Sequence, residues 1–173
     1  MKLITKILVA VILWFTIQNT KAQIAKAEIM ATGLTCSMCS NAIYKQLIAQ
    51  QGVEKVGVDL NTNTFVVFLN KNNQVTPKIL KEKVEKAGFF VGSMVIYLPF
   101  ENLKITDNLL VKENNLSLTF IKAKPKTLNG ITPLKILNKG YVTQKEYKKT
   151  LKSFIKYSGF ETENKENYHV KLL

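Results

Sequence analysis

Cys36 and Cys39 stand two residues apart in the stretch GLTCSMCSNAI, residues 33–43, and no other cysteine occurs in the chain. A pair so spaced can do three things: grip a soft metal ion between two thiolates, cycle between dithiol and disulfide, or form a structural cross-link. The cross-link is the weakest reading, because so short a loop restrains the unfolded chain little. Thiolates suit Cu(I), Hg(II) and Zn(II). Two of them can approach a line, which Cu(I) and Hg(II) accept, whereas zinc wants four ligands in a tetrahedron. No acid adjoins the pair, whose neighbours are Thr35 and Ser40, and the single histidine, His169, lies far along the chain. Two-coordinate soft metals are therefore favoured over zinc. Met38, between the cysteines, could supply a thioether, but reads more simply as a flexible residue that shields the loop.

The elements that must position this pair are legible on either side. AEIMAT, 27–32, reads as a short strand that Gly33 breaks. From Ser40, Ile43, Leu47 and Ile48, with Tyr44 alongside, fall at helical spacing, and Gly52 stops the helix. Cys39 then sits in a first helical turn, where unsatisfied N–H groups and the helix dipole favour a thiolate and so reduce proton competition for a metal. VEKVGVDL alternates, predicting a strand with Val56, Val58 and Leu60 on one face. NTNT is a turn, FVVFL at 65–69 a strand, and Thr76-Pro77 a capped helix start. Ile79, Leu80, Val84 and Ala87 form that helix's stripe, Gly88 ends it, and FFVGSMVIYL supplies a last strand. Strand, helix, strand, strand, helix, strand over 27–98 is an α+β, ferredoxin-like βαββαβ sandwich.

Residues 29–91 resemble a heavy-metal-associated domain, the module of copper chaperones, metal-pumping ATPase tails and periplasmic mercury-binding proteins. The resemblance is carried by Gly33, Thr35, Cys36 and Cys39, by Ile43 and Leu47 at four and eight residues past the second cysteine, by Gly52-Val53, by Val56, Val58, Asp59 and Leu60, and by Ala87-Gly88-Phe89. Two positions depart from the family pattern. Leu34 stands where methionine is usual, an apolar exchange that preserves packing under the loop. Phe89 stands where many members carry tyrosine or lysine near the metal loop, which removes a polar group beside the thiolates. The resemblance implies Cys36 and Cys39 as metal ligands, Cu(I) as the best choice of ion with Hg(II) and Zn(II) as alternatives, and a metal-donor or metal-acceptor partner such as a metal-transporting ATPase or an efflux component. A thiol-disulfide or redox-sensing role for the same pair is the competing reading, though a thioredoxin-like domain would need a different element order.

The start of the chain, MKLITKILVAVILWFTIQNTKAQ, has a basic beginning at Lys2 and Lys6, an apolar run from Ile7 to Phe15, and small residues before a cut after Ala22. This is the pattern of an export signal over 1–22, and the run is short for a membrane span. The expectation is a periplasmic or secreted protein. Its 25 basic residues are all lysine, and the formal net charge is +13. Without the three lysines of the signal, 22 remain against 12 acids. The absence of arginine argues against nucleic acid, whose phosphates and guanines suit a planar fork. No Ser/His/Asp set, phosphate loop or paired carboxylates stand out, so no enzyme is expected.

A division into 23–98 and 99–173 is expected, with Pro99 at the boundary. The second part reads as a small β-rich domain with one helix: alternating runs broken at Asp107-Asn108 and Asn114-Asn115, a hairpin turn at Asn129-Gly130, and a helix from Thr143 to Tyr157 with Tyr147, Leu151, Phe154 and Ile155 as its stripe. Ser158-Gly159 would end the helix, and NYHVKLL would close the sheet, with His169 structural. A partial barrel of the oligonucleotide/oligosaccharide-binding type fits this order, as does a protein- or carbohydrate-binding module with an accessory metal domain. Met30, Met94 and the aromatic set Phe89, Phe90, Tyr97 and Phe100 are expected in the core or the domain junction. The lysine-rich helix reads as a solvated face that could also dock an acidic partner.

Overall fold

Alternation sets the first strand. β1 (Lys26–Thr32) buries Ala27, Ile29 and Ala31 and turns the residues between them away, the period-two pattern of a strand with one face on a core. The structure, a computed structural model, describes residues 23–34, 37–113, 115–157 and 167–173, the side chain of Ser37 excepted. The expected export signal over 1–22, Cys36, Asn114 and the Ser158-Gly159 helix stop lie outside the described residues.

Two helices and three further strands complete the first unit. They are α1 (Ser37–Ile48), β2 (Val53–Asp59), β3 (Thr64–Leu69), α2 (Pro77–Lys86) and β4 (Phe90–Ile105). Thr76 accepts a hydrogen bond from the Ile79 N–H with Pro77 at the first helical position, so α2 starts where its cap predicts. Its stripe of Leu80 and Val84 is fully buried with Pro77, while Ile79 and Ala87 pack at the margin. Ile43 and Leu47 do the same for α1, with Tyr44 and Ile48 partly covered. The strands run β2-β3-β1-β4 with all pairs antiparallel, and α1 packs on β2 and on α2, which in turn packs on β4. That is the ferredoxin-like α+β arrangement. One expectation fails within it. Val56 is buried, but Val58 and Leu60 are exposed. β2 is an edge strand of the sheet, and Leu60 lies past its end in the β2–β3 turn.

Pro99, where a boundary is expected, lies inside β4, which continues to Ile105. The later strands β5 (Leu110–Glu113), β6 (Leu116–Phe120), β7 (Lys126–Ile136) and β8 (Asn167–Leu172) extend the same sheet to eight strands, in the order β2-β3-β1-β4-β7-β8-β6-β5. Among the described residues they form no barrel; the sheet stays open, with β2 and β5 at its edges. β8 does close the second half, but from within, antiparallel to β7 and parallel to β6. The main core is continuous from Ile24 and Phe65 through Met94 and Leu98 to Phe120, Leu134 and Val170. Tyr141 and Tyr168 meet edge-on in it at 5.7 Å, and Lys81 of α2 reaches over Tyr141.

The Asn129-Gly130 pair makes no hairpin. It lies within β7, opposite the point where the β4 register shifts between Phe100 and Leu103. Gly130 and Asn102 both take positive φ there, and the Asn102 N–H donates to Asn129 Oδ1 at 2.8 Å. The left-handed conformation that suits a tight turn here serves a bulge. The helix of the second half, α3 (Gln144–Phe154), is capped by Thr143 and buries Tyr147 and Phe154. These join Ile121, Leu137, Val142 and Tyr157 in a smaller cluster. Ile121 and Leu137 directly follow the last residues of β6 and β7, so α3 packs where those strands end. Ile155, expected in the buried stripe, is exposed because the helix has ended. No helix among the described residues is long and apolar enough to cross a membrane.

Candidate metal centre

The cysteine loop leaves the end of β1 through Gly33, whose φ of +89° only glycine adopts without strain. Leu34 then packs against the core, as its apolar character requires. α1 begins at Ser37, which puts Cys39 in the first turn, half-buried. Ser40 and Ile43 point inward from the same helix, and Met38 points out with 82% of its surface exposed. Met38 therefore belongs to the rim of the loop and not to the core. No acid occupies the first turn of α1, so the N–H groups there are offered to an anion without a carboxylate of that turn competing.

Four segments meet at this end of the sheet. The Ala31 N–H donates to the Asn63 carbonyl at 3.0 Å, tying the β2–β3 turn to the strand that feeds the loop. Thr32 Oγ1 donates to the Phe90 carbonyl at 3.3 Å. α2 stops at Ala87-Gly88, with Gly88 at a φ of +89°, and delivers Phe89 to the loop. A Cβ at Gly33 would stand 3.9 Å from Phe89 Cδ1, so an apolar ring lies against the first residue of the loop. Phe90, expected in the core, is 68% exposed instead, because the strand's alternation gives the core side to Val91.

Gly92 is a determinant that the sequence reading passes over. Met30 pairs with Ser93 and Ala31 with Val91, so Gly92 is the extra residue of a bulge in β4. A Cβ there would come within 2.5 Å of Thr32 Cγ2 and 3.1 Å of Met30 Cε. The bulge bends the two strands just before the cysteine loop leaves them. Its signal in the sequence is an isolated glycine in the apolar run FFVGSMVIYL.

The other candidates fall elsewhere. His169 is fully buried in β8, where its backbone N–H donates to Asn138 Oδ1. Met94 is in the core, and Met30 is half-buried on the sheet face away from α1 and α2. Among the described residues, no three or more His, Cys, Asp or Glu side chains gather where they could hold a metal. Of the sequence-predicted pair, Cys39 is placed at the helix start; Cys36 lies outside the described residues.

The heavy-metal-associated domain family matches residues 28–90. Residues 28–90 are a heavy-metal-associated domain. It runs from Glu28 in β1 to Phe90 at the start of β4 and takes in both cysteines and both helices of the ferredoxin-like unit. Everything after Phe90, including most of β4, lies beyond the match. Among curated proteins, a copper-transporting ATPase of Saccharomyces cerevisiae is 44% identical over 57 residues, 33% of this chain and 6% of that protein. A copper-transporting ATPase of Helicobacter felis is 37% identical over 65 residues, 37% of this chain and 9% of that one. The chain thus spans less than a tenth of the length of these relatives. Among solved structures, a yeast copper transporter domain studied in apo and Cu(I)-loaded states is 39% identical, with 37% of this chain and 86% of that chain covered and a TM-score of 0.34. A chain of the Atx1–Cu(I)–Ccc2a complex is 37% identical, with 41% and 92% covered and a TM-score of 0.34.

Proposed function

We propose that this protein carries a soft metal ion, Cu(I), held between the thiolates of Cys36 and Cys39, and passes it to a partner by ligand exchange. The observation that carries this reading is the heavy-metal-associated domain over 28–90 with its cysteine pair spanning the start of α1. Copper is supported by relatives named as copper-transporting ATPases. Two soft thiolates are enough for Cu(I), which accepts two- and three-coordinate geometries, and not enough for zinc. Among the described residues, no three or more His, Cys, Asp or Glu side chains gather to form a harder site.

The exposure of Met38 and the partial exposure of Cys39 let an incoming thiolate approach. Transfer then proceeds by adding a partner ligand before an old one leaves, so the ion is never stripped bare. No bond of a substrate is made or broken, and we assign no catalysis. The partner is a protein with thiol ligands of its own, in the manner of a metal-transporting ATPase domain. The protein works outside the cytoplasm, after removal of residues 1–22.

The test is Cu(I) titration of the reduced protein against a competing chelator. One ion per chain is expected, with stoichiometric binding abolished in the Cys36→Ser, Cys39→Ser variant and kept in Met38→Leu. Insulin disulfide reduction by a wild-type protein that holds no Cu(I) would transfer the pair to redox chemistry instead.

A further inference from the structure

Lysine outweighs acid most strongly in the stretch 122–156, which Glu161, Glu163 and Glu166 follow in sequence. Residues 23–113 contain ten lysines and eight acids; residues 122–156 contain ten lysines and one acid. That acid, Glu146, is held by Lys135 at 2.7 Å, so it neutralises nothing else.

Five of these lysines are Lys145, Lys148, Lys149, Lys152 and Lys156 on and just past α3, all exposed. Their spacing of three, one, three and four residues puts them within an arc of about 100° at 3.6 residues per turn, opposite the buried Tyr147 and Phe154. The row is about 16 Å long at 1.5 Å per residue. Neighbours in it stand three or four apart, where like charges repel. The other lysine-rich helix of this chain handles the same problem differently: α2 pairs Lys78 with Glu82 and Lys81 with Glu85 at four-residue spacing. From Tyr147 to Phe160 the sequence contains no acid at all. None of the five has an acid four residues away, unlike the paired lysines of α2; Asp107, bonded to the Tyr157 hydroxyl, lies near Lys156 at the end of the row.

We propose that this α3 row docks the protein on an anionic phospholipid surface. The row lies along the exposed side of a single helix, so it meets a flat, laterally adaptable array of headgroups more readily than a shaped ligand. Lysines act there as point charges, for which arginine's planar fork has no advantage. Ile155, 54% exposed beside Lys156, puts one apolar side chain at the level of the headgroups. The buried stripe of α3 stays on the sheet, so the contact is electrostatic and reversible, not an insertion. This docking is independent of the metal reading above.

The test is co-sedimentation of the full chain with vesicles of phosphatidylcholine, alone or mixed with phosphatidylglycerol. The apolar N-terminal segment is common to every variant, so comparison between variants isolates the row. At about 1 kcal/mol per lysine near an anionic surface, K145Q/K149Q/K152Q should lower partitioning onto the mixed vesicles by about a hundredfold. K45Q/K55Q/K71Q, which removes three exposed lysines from the metal-binding half, should change it by less than about threefold on the same scale. Salt at about 0.5 M should release the wild-type protein from the anionic component. Circular dichroism establishes that both triple variants fold, as exposed Lys→Gln changes in and around helices should. Equal losses in the two triple variants, no preference for the anionic vesicles, or binding to polyglutamate or DNA in place of vesicles would each overturn the proposal.

Discussion

Asn138 and His169 are joined twice inside the second half of the sheet. The His169 N–H donates to Asn138 Oδ1 at 2.6 Å, and Asn138 Nδ2 stands 3.2 Å from His169 Nδ1. The same amide nitrogen donates to the Asn167 carbonyl at 3.2 Å. Two backbone partners thus fix which way the amide points, and Nδ1 of the ring is the acceptor. Both residues are buried, and the contact ties the end of β7 to β8 away from bulk solvent. Asn138→Ala should cost about 2 kcal/mol, the range for withdrawing a partner from buried polar groups. Urea unfolding measures it, and a loss below about 0.5 kcal/mol would mean that the network carries no weight.

The bulge at Gly92 predicts a coupled effect at the metal loop. An alanine there must displace Thr32, whose branched side chain is stiff and whose hydroxyl is bonded to Phe90. Gly92→Ala should destabilise the fold by about 1–3 kcal/mol, as overpacking does. It should also weaken Cu(I) binding several-fold, because β1 then delivers the cysteine loop at another angle. Thermal unfolding and chelator competition read the two effects. A variant that loses stability with unchanged Cu(I) affinity would separate the bulge from the site.

Glu28, Lys26 and Tyr97 form a triad on the sheet face away from α1 and α2. Lys26 Nζ lies 2.8 Å from Glu28 Oε1 and 3.8 Å from the Tyr97 ring centroid, and the Tyr97 hydroxyl donates to Glu28 at 2.9 Å. The hydrogen bond from Lys26, joined by that from Tyr97, outweighs burial and holds the Glu28 carboxyl below its ordinary value of 4.5. A carboxylate lowered on folding stabilises the protein above its unfolded value and loses that contribution as pH falls through the folded one. Glu28→Gln should therefore cost about 1 kcal/mol near pH 7, discounted for its partial exposure, with the difference from wild type fading as pH falls through the lowered folded value. Lys26 is raised above 10.5 mainly by the same hydrogen bond, so its share persists until pH climbs through that raised value. A constant gap between variant and wild type from acid to neutral pH would exclude this account.

The local part of the structure could be read from neighbours in sequence. Thr76-Pro77, Gly88 and the NTNT turn each act within a few residues, and each is found as a helix cap, a helix stop and a β2–β3 turn. The stripes at Ile43 and Leu47 and at Leu80 and Val84 follow from helix period alone and face the core. The helix that begins beside Cys39 was legible for the same reason. Asn129-Gly130 misled because positive φ serves a bulge as well as a turn, and only the strand opposite distinguishes them.

By itself, then, the sequence determined the ferredoxin-like order of elements over 27–98, the resemblance that residues 28–90 bear out, and the helix start beside the cysteines. These rest on periods, caps and motifs that neighbouring residues carry. The tertiary structure decided that β4 runs on past Pro99, that β8 enters between β7 and β6, and that Val58, Leu60, Phe90 and Ile155 are exposed. The strand pairings depend on which distant segment comes to lie alongside, and the exposures on where an element ends and which of its faces meets the core, whatever the hydrophobicity of the residue itself.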